Sequence, residues 1–232
     1  MRIDPAGWPF LLGGLVLGII ALLLINLFIG VAVLVLTTFF LFFFRDPDRI
    51  ADISDSAVVS PADGRVMVAG APTVQAFPAS DWQQISIFLS PMDVHVNRMP
   101  VTGRVTRVEY HPGRFLPAYR SDAGDLNEFT EVTIDHHGTT VVVRQFVGIL
   151  ARRIVCRVKE GEVVKAGDRF GVMKFGSRMD IFIPSGSTLR ATVGDKVVGG
   201  VTVIATLPAG AASDPTATGH AAPIHPGAQH GT

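Results

Sequence analysis

Between Pro5 and Phe44 the chain carries no Asp, Glu, Lys or Arg across 40 consecutive residues. A helix rises about 1.5 Å per residue, so this run would reach roughly 60 Å, against a bilayer hydrocarbon core of about 30 Å. Two short passes therefore fit better than one overlong helix. The expected bend lies near Asn26-Leu27-Phe28-Ile29-Gly30, where Asn and Gly are weak helix formers. A hairpin places Arg2, Arg45 and Arg49 together on the cytoplasmic side, as the positive-inside tendency prefers. A single pass or a dip into one leaflet stays open. A cleaved signal peptide fits poorly, because its apolar region covers only about 7–15 residues and ends at small side chains. This run ends in Phe42-Phe43-Phe44-Arg45.

The rest of the chain has a different character. Of its 232 residues, 20 are Lys or Arg and 20 are Asp or Glu, so the net charge is zero. That excludes a strongly basic nucleic-acid binder and an acidic disordered chain. The lone Cys156 excludes an intramolecular disulfide framework. Although flanked by Arg153 and Arg157, it reads as a packed small residue. All charges but Arg2, Asp4 and Asp214 fall within residues 45–207. That stretch is long enough for one core. Its pattern is short β-rich runs bounded by Gly, Pro and Asp: Arg65–Val68, Gln84–Leu89, Gly103–Val108, Glu131–Ile134, Thr139–Phe146 and Val201–Ile204. Ile149–Cys156 is ambiguous.

The expected fold is mainly β, an antiparallel barrel or sandwich with few short helices, behind a helical N-terminal anchor. The expected organisation is an anchor over 1–50, a β-rich domain over 51–207 and a disordered tail over 208–232. The tail is rich in Ala, Gly, Pro and Thr and cannot bury a core. Its His220, His225 and His230 read as inert, being spaced in a flexible segment.

Four clusters stand out in the β-rich part. They are Phe43-Phe44-Arg45-Asp46-Pro47; Ser60-Pro61-Ala62-Asp63-Gly64; the segment from Phe88 through Ser90-Pro91-Met92-Asp93-Val94-His95-Val96-Asn97-Arg98 to Pro100; and Lys174-Phe175-Gly176-Ser177-Arg178. Each has a plain local meaning. Pro-Ala-Asp-Gly makes a turn, since Pro presets φ and Gly permits positive φ. His95 in an alternating run can point into a core, and Gly-Ser is a common loop dipeptide. An Arg at a membrane boundary usually snorkels to the interface.

Taken together, the order, wording and spacing of the clusters resemble the short branch of the phosphatidylserine decarboxylase family, from about Phe43 to Ile204. His111–Phe115, Asn127-Glu128 and Gly148–Ile154 add to the resemblance. It implies an inactive proenzyme that breaks its own Gly176–Ser177 bond. A larger chain, 1–176, and a smaller one, 177–232, would result, with Ser177 converted to a pyruvoyl group. No external cofactor, no metal and no nucleic-acid partner is implied, and self-association stays open. The pyruvoyl carbonyl would form a Schiff base with phosphatidylserine and accept electrons as CO2 leaves, giving phosphatidylethanolamine.

The residue types suit that chemistry. Gly176 leaves its carbonyl open to attack and permits a strained turn. The Ser177 hydroxyl is a weak nucleophile until a base takes its proton. The family's Asp-His-Ser relay maps onto Asp63, a histidine and Ser177, with the carboxylate orienting the imidazole. Longer members have two histidines three residues apart, and their relay is assigned to the second. Here His95 fills the first position and Arg98 the second. His95 is thus the local candidate for relay base, for a role in decarboxylation, or for both. Asp93 and His95 would share a face if their segment were a strand. Arg45, Arg49 and Arg114 are candidates to meet the lipid phosphate, which suits guanidinium forks.

Two rival readings remain. Gly161–Asp168 followed by Gly171-Val172-Met173-Lys174 resembles a biotinyl or lipoyl carrier, modified at Lys174. That reading leaves the Asp63 segment, the His95 segment and the anchor unexplained, though it hints at a barrel-sandwich architecture. The other rival is a membrane-anchored β-domain without catalysis.

Overall fold

The computed structural model describes residues 2–49, 54–74, 76–120, 122–148, 153–174 and 177–208. The expected tail and Gly176 therefore lie outside the described residues.

Two apolar helices open the chain, α1 (Trp8–Leu24) and α2 (Leu27–Phe43). Asp4 starts the first, its side chain accepting the Ala6 N–H at 2.9 Å ahead of the Pro5–Gly7 turn. The chain reverses at Ile25-Asn26. Asn26 is extended (φ −164°, ψ 141°) and its Oδ1 caps α2 by accepting the Phe28 N–H at 2.8 Å. The bend thus falls at the edge of the expected segment, and Gly30 has another task. A Cβ on Gly30 would come within 2.6 Å of the Leu22 backbone nitrogen, and Gly14 and Gly18 face Thr37 and Leu34 as closely. The glycines let two antiparallel helices touch, the small-residue packing typical of membrane helix pairs. Pro5–Leu24 has a mean hydropathy of 2.2 and is long and apolar enough to cross a bilayer; α2 is shorter. Leu23, Leu24 and Phe28 are exposed at the hairpin tip.

The remaining described residues are mainly β. A short strand β1 (Arg2–Ile3) pairs with β2 (Arg45–Asp46) at the helix base. Then come β3 (Ala57–Val59), β4 (Gly64–Gly70), β5 (Trp82–Leu89), β6 (Val96–Arg98) and β7 (Gly103–His111), followed by the one-turn α3 (Ala123–Leu126). The series continues with β8 (Phe129–His136), β9 (Thr139–Phe146), β10 (Ile154–Cys156), β11 (Val163–Val164) and β12 (Arg169–Met173). It ends with β13 (Ser177–Pro184), β14 (Thr188–Leu189), β15 (Lys196–Val197) and β16 (Val203–Thr206). The largest sheet has eight strands in the order β11-β7-β8-β9-β13-β5-β4-β15, and two three-stranded sheets, β10-β12-β6 and β14-β16-β3, flank it. Every ladder between named strands is antiparallel, which matches the expected fold class.

Strand alternation explains the core. On β13, Met179, Ile181 and Ile183 face one apolar cluster, shared with Ile85, Ile87 and Leu89 of β5, Met173 of β12, Val58 of β3 and Ile204 of β16. The intervening Phe182 faces a second layer with Val74 and Val142, packed by Phe77 and Trp82. Both faces of β13 are covered, so it reads as nearly continuous apolar sequence. The ambiguous Ile149–Cys156 segment ends in β10; residues 149–152 lie outside the described residues. Burial pushes the half-buried Cys156 thiol pKa up, which disfavours the reactive thiolate.

Candidate active site

Ser177 is the first residue of β13 and pairs in register with Leu89, the last of β5. It lies on the same strand face as Met179 and Ile181, is wholly buried, and its Oγ has no hydrogen-bond partner. Buried hydroxyls nearly always find partners, so this orphan calls for a reason. The other face of the strand fixes its position. The fully buried Arg178 donates from Nε and Nη2 to Asp180 at 2.6 and 2.7 Å. Gln84 Nε2 donates to the same carboxylate at 3.0 Å and to Ser86 Oγ at 2.8 Å. A closed network therefore holds the backbone beside Ser177.

His95 follows β5 after a turn at Ser90–Asp93. The segment is not a strand there: the Asp93 carboxylate turns back to accept the Ser90 N–H at 2.8 Å. The shared strand face expected for Asp93 and His95 is thus replaced by a closer link. His95 Nδ1 lies 3.0 Å from the Asp93 backbone carbonyl. A carbonyl only accepts, so Nδ1 carries the hydrogen and Nε2 presents its lone pair. That Nε2 is buried and without a partner. Phe43, the last residue of α2, covers the imidazole at a centroid distance of 4.2 Å. Burial lowers the His95 pKa to about 4, against a smaller opposing pull from the Asp93 carbonyl and carboxylate. The ring is therefore neutral at physiological pH. The His95 carbonyl accepts the Met173 N–H at 3.3 Å, which brings the ring's backbone beside the strand that leads toward residue 177.

Asp63 lies in the Ser60–Gly64 turn, where Gly64 has a φ of 155°. Both its oxygens are engaged. Arg49 donates to Oδ1 at 2.6 Å and to Oδ2 at 2.8 Å, and the Gly199 N–H donates to Oδ1 at 2.8 Å. No hydrogen bond joins Asp63 to His95; the carboxylate reaches the imidazole only through its field. The structure thus connects Asp93, not Asp63, directly to His95.

Arg98 also has a defined task. It donates to the Gly167 carbonyl at 2.9 Å, to the Pro47 carbonyl at 2.8 Å and to Asp46 at 3.3 Å. Asp46 pairs with Arg169 as well, at 2.6 Å. Arg45 donates to the Phe42 and Met92 carbonyls at 3.0 and 2.7 Å. Arg114 is exposed on the long loop after β7. Of the three phosphate candidates, Arg49 lines a cavity of about 480 Å³, together with Arg98 and Arg169. This cavity does not touch His95 or Ser177.

Two further buried polar residues stand near the candidate site: Asn97, inside the His95 cluster but given no role by it, and Gln145, outside all four clusters. Asn97 and Gln145 are wholly buried and joined by a bond of 2.8 Å from Gln145 Nε2 to Asn97 Oδ1. Asn97 Nδ2 and Gln145 Oε1 remain unpartnered. Gln145 is in register with Met179, so its side chain shares the face of Ser177. The available signal is a polar Gln inside the run Val141-Val142-Val143-Arg144-Gln145-Phe146. Lys174 lies over the Phe10 ring at 4.8 Å, and burial lowers its pKa. That packing suits a residue tied to the helix base rather than a swinging carrier lysine.

The comparisons with known proteins agree with the motif reading. The family model described as phosphatidylserine decarboxylase matches residues 36–205. A phosphatidylserine decarboxylase proenzyme of Granulibacter bethesdensis is 44% identical over 210 residues, covering 88% of this chain and 84% of that protein. Those of Geotalea uraniireducens and Symbiobacterium thermophilum are 40% and 42% identical and are covered over 97% and 94% of their lengths. The chain belongs to the phosphatidylserine decarboxylase family.

Proposed function

We propose that this chain is a membrane-held proenzyme that cuts itself between Gly176 and Ser177, then decarboxylates phosphatidylserine to phosphatidylethanolamine. One observation carries the proposal: the Ser177 Oγ and the His95 Nε2 are both buried without a partner, in a member of this family. The neutral His95 takes the Ser177 hydroxyl proton as the oxygen attacks the Gly176 carbonyl carbon; the Gly176 C–Ser177 N bond then breaks, the proton passes to the freed Ser177 amino group, and an ester joins Gly176 to the Ser177 oxygen. Loss of the Ser177 α-proton breaks the Cβ–Oγ bond and releases residue 176 as a carboxylate. The dehydroalanine left at 177 takes up water and releases ammonia, which leaves the pyruvoyl ketone.

When formed, that ketone supplies an electron-accepting carbonyl for the loss of CO2. The residues around it fit such a group. The Asn97 and Gln145 amides have an unused donor and an unused acceptor on the face of Ser177. His95 remains as a proton carrier, held by the Asp93 carbonyl, and Phe43 keeps water from it. Asp63 adds a negative field that steadies a protonated imidazole, while Arg49 holds the carboxylate in place. Cleavage need not release the smaller chain, since β13 stays laddered between β5 and β9. The exposed apolar tip of the α1–α2 hairpin supports a place in the bilayer, and Arg2, Arg45 and Arg49 at its base support a cytoplasmic catalytic domain.

Intact-mass analysis of the purified protein tests the proposal. Two chains split at Gly176/Ser177, the smaller blocked by pyruvoyl, are expected. A single chain with an adduct on Lys174 would support the carrier reading. A persistently unmodified full chain would support the non-catalytic one.

A further inference from the structure

A second group of potential ligand atoms lies on the turn joining β8 to β9. This turn is Asp135-His136-His137-Gly138, with Gly138 N–H donating to Asp135 Oδ1 at 2.7 Å. His137 has a φ of 50° and is the sole non-glycine residue at positive φ among the described residues. Gly138, at 87°, completes a two-residue turn of the type that favours Asn-Gly. A histidine in this left-handed position is uncommon. Here it puts His137 Nε2 3.1 Å from Asp55 Oδ2 and the ring 4.7 Å from that of His136.

His136 is only 6% exposed, and its Nδ1 lies 2.6 Å from the Thr102 carbonyl. Nδ1 therefore carries the hydrogen, and Nε2 is left with a lone pair and no hydrogen-bond partner. A backbone carbonyl on the far nitrogen is the usual arrangement behind a metal-binding imidazole. One ligand atom from each of Asp55, His136 and His137 lies within 4.8 Å of the others. They border a cavity of about 270 Å³ that Ser56, Thr139 and Leu207 also line. A simple Asp55–His137 ion pair would explain only two of the three groups. It gives no reason for the third, nearly buried imidazole of His136 to stand within the same 4.8 Å cluster.

We propose that Asp55, His136 and His137 form a binding site for one divalent transition-metal ion of the zinc class. Two imidazoles and one carboxylate, with an open position for water from the cavity, suit that ion. The site is separate from the residues assigned to cleavage. It joins two distant parts of the chain, the approach to β3 and the β8–β9 turn, beside the end of β16, which lines the cavity. The end of β16 already meets the approach to β3 through the Leu207 N–H donating to the Ser56 carbonyl at 2.8 Å. Binding would thus pin the approach to β3 against the β8–β9 turn.

The test uses the full-length protein, stripped of metal by chelation and titrated with zinc chloride by calorimetry. Cobalt(II) absorption reports the coordination geometry. One saturable equivalent of micromolar affinity or tighter is expected, with a rise in unfolding temperature that a chelator reverses. His136→Gln and His137→Asn, the latter chosen to keep the turn, should each weaken binding by roughly 10–100-fold. A variant with His220, His225 and His230 all changed to Ala should bind as the parent does. Absence of saturable binding would overturn the proposal. So would binding that survives His137→Asn but is lost with the tail histidines.

Discussion

Protonation of His95 is the perturbation that best tests the site, because burial sets both its stability effect and its proposed chemistry. The ring's pKa falls from 6.5 to about 4, mainly through desolvation, with the Asp93 carbonyl pulling the other way. A gap of that size corresponds to roughly 3 kcal/mol between the charged and neutral ring. Unfolding returns the pKa to 6.5, so between these values the unfolded chain holds more protons than the folded one. Stability therefore rises with pH across that window: the contribution is fully present above 6.5 and is lost as pH falls toward 4. The Ser177→Ala chain, which lacks the proposed nucleophile, provides the sample. Relative to a Ser177→Ala/His95→Gln chain, it should lose roughly 3 kcal/mol more stability to urea as pH falls through that window. Nitrogen-15 NMR of labelled histidine should give a His95 midpoint near 4, with the hydrogen on Nδ1 at higher pH. Adding Phe43→Ala removes the ring stacked at 4.2 Å, admits water and should move the midpoint back toward 6.5. A midpoint of 6.5 in the parent Ser177→Ala chain, or a hydrogen on Nε2, would refute the reasoning. A solvated ring, or one with its lone pair toward Asp93, cannot act as the base drawn here.

Two further outcomes follow from buried polar groups. Asn97→Leu or Gln145→Leu alone should cost about 1–3 kcal/mol, because each leaves its partner's amide buried and unpaired, whereas the double variant should lie closer to the parent in stability. If the double variant denatures like the parent and decarboxylates at the parent rate, the amides have no part in the reaction. Arg49→Ala and Asp63→Ala should each destabilise by about 3–5 kcal/mol, since their side chains are only 9% and 15% exposed. Their combination should cost far less than the sum in a double-mutant cycle read by denaturation, and strict additivity would show that the pair does not interact.

Much of the fold was legible because β-sheets write themselves into sequence with period two. The runs at Arg65–Val68, Gln84–Leu89, Gly103–Val108, Glu131–Ile134 and Thr139–Phe146 all lie within strands. Val201–Ile204 was placed early, since a turn at 201–202 delays β16 to Val203. In the hairpin, charge-free composition indicated two helices, but propensity alone could not separate Asn26, which caps, from Gly30, which packs. The site was legible where a motif was local. Ser177 and His95 stand in recognisable segments. Long-range partners left no such trace: Arg49 and Gly199 claim Asp63 from 14 and 136 residues away, and Gln145 meets Asn97 across 48. Such separations are decided by strand order, which no single segment encodes.

Under the proposed function, the surroundings of Arg98 show how the segment can work with His95 as its single histidine. Its guanidinium is committed to the exit from the helices, through Asp46 and the Pro47 carbonyl, and to the Gly167 carbonyl in the turn before β12. A histidine is too short to reach all three and carries less certain charge. The same exit strand bears on the site from other directions. Phe43 stacks on His95, Arg45 holds the Met92 carbonyl in the turn before it, and Lys174 lies over Phe10 and Phe44. Asp4 completes the clamp, bound by Arg157 at 2.6 and 2.9 Å and linked through its N–H to the Phe44 carbonyl. The base of the hairpin thus touches His95 on one side and the segment leading to Ser177 on the other. In that arrangement Arg98 fixes the helical hairpin against the β-rich part, and under the proposed function the imidazole chemistry falls to His95, the ring that Phe43 covers.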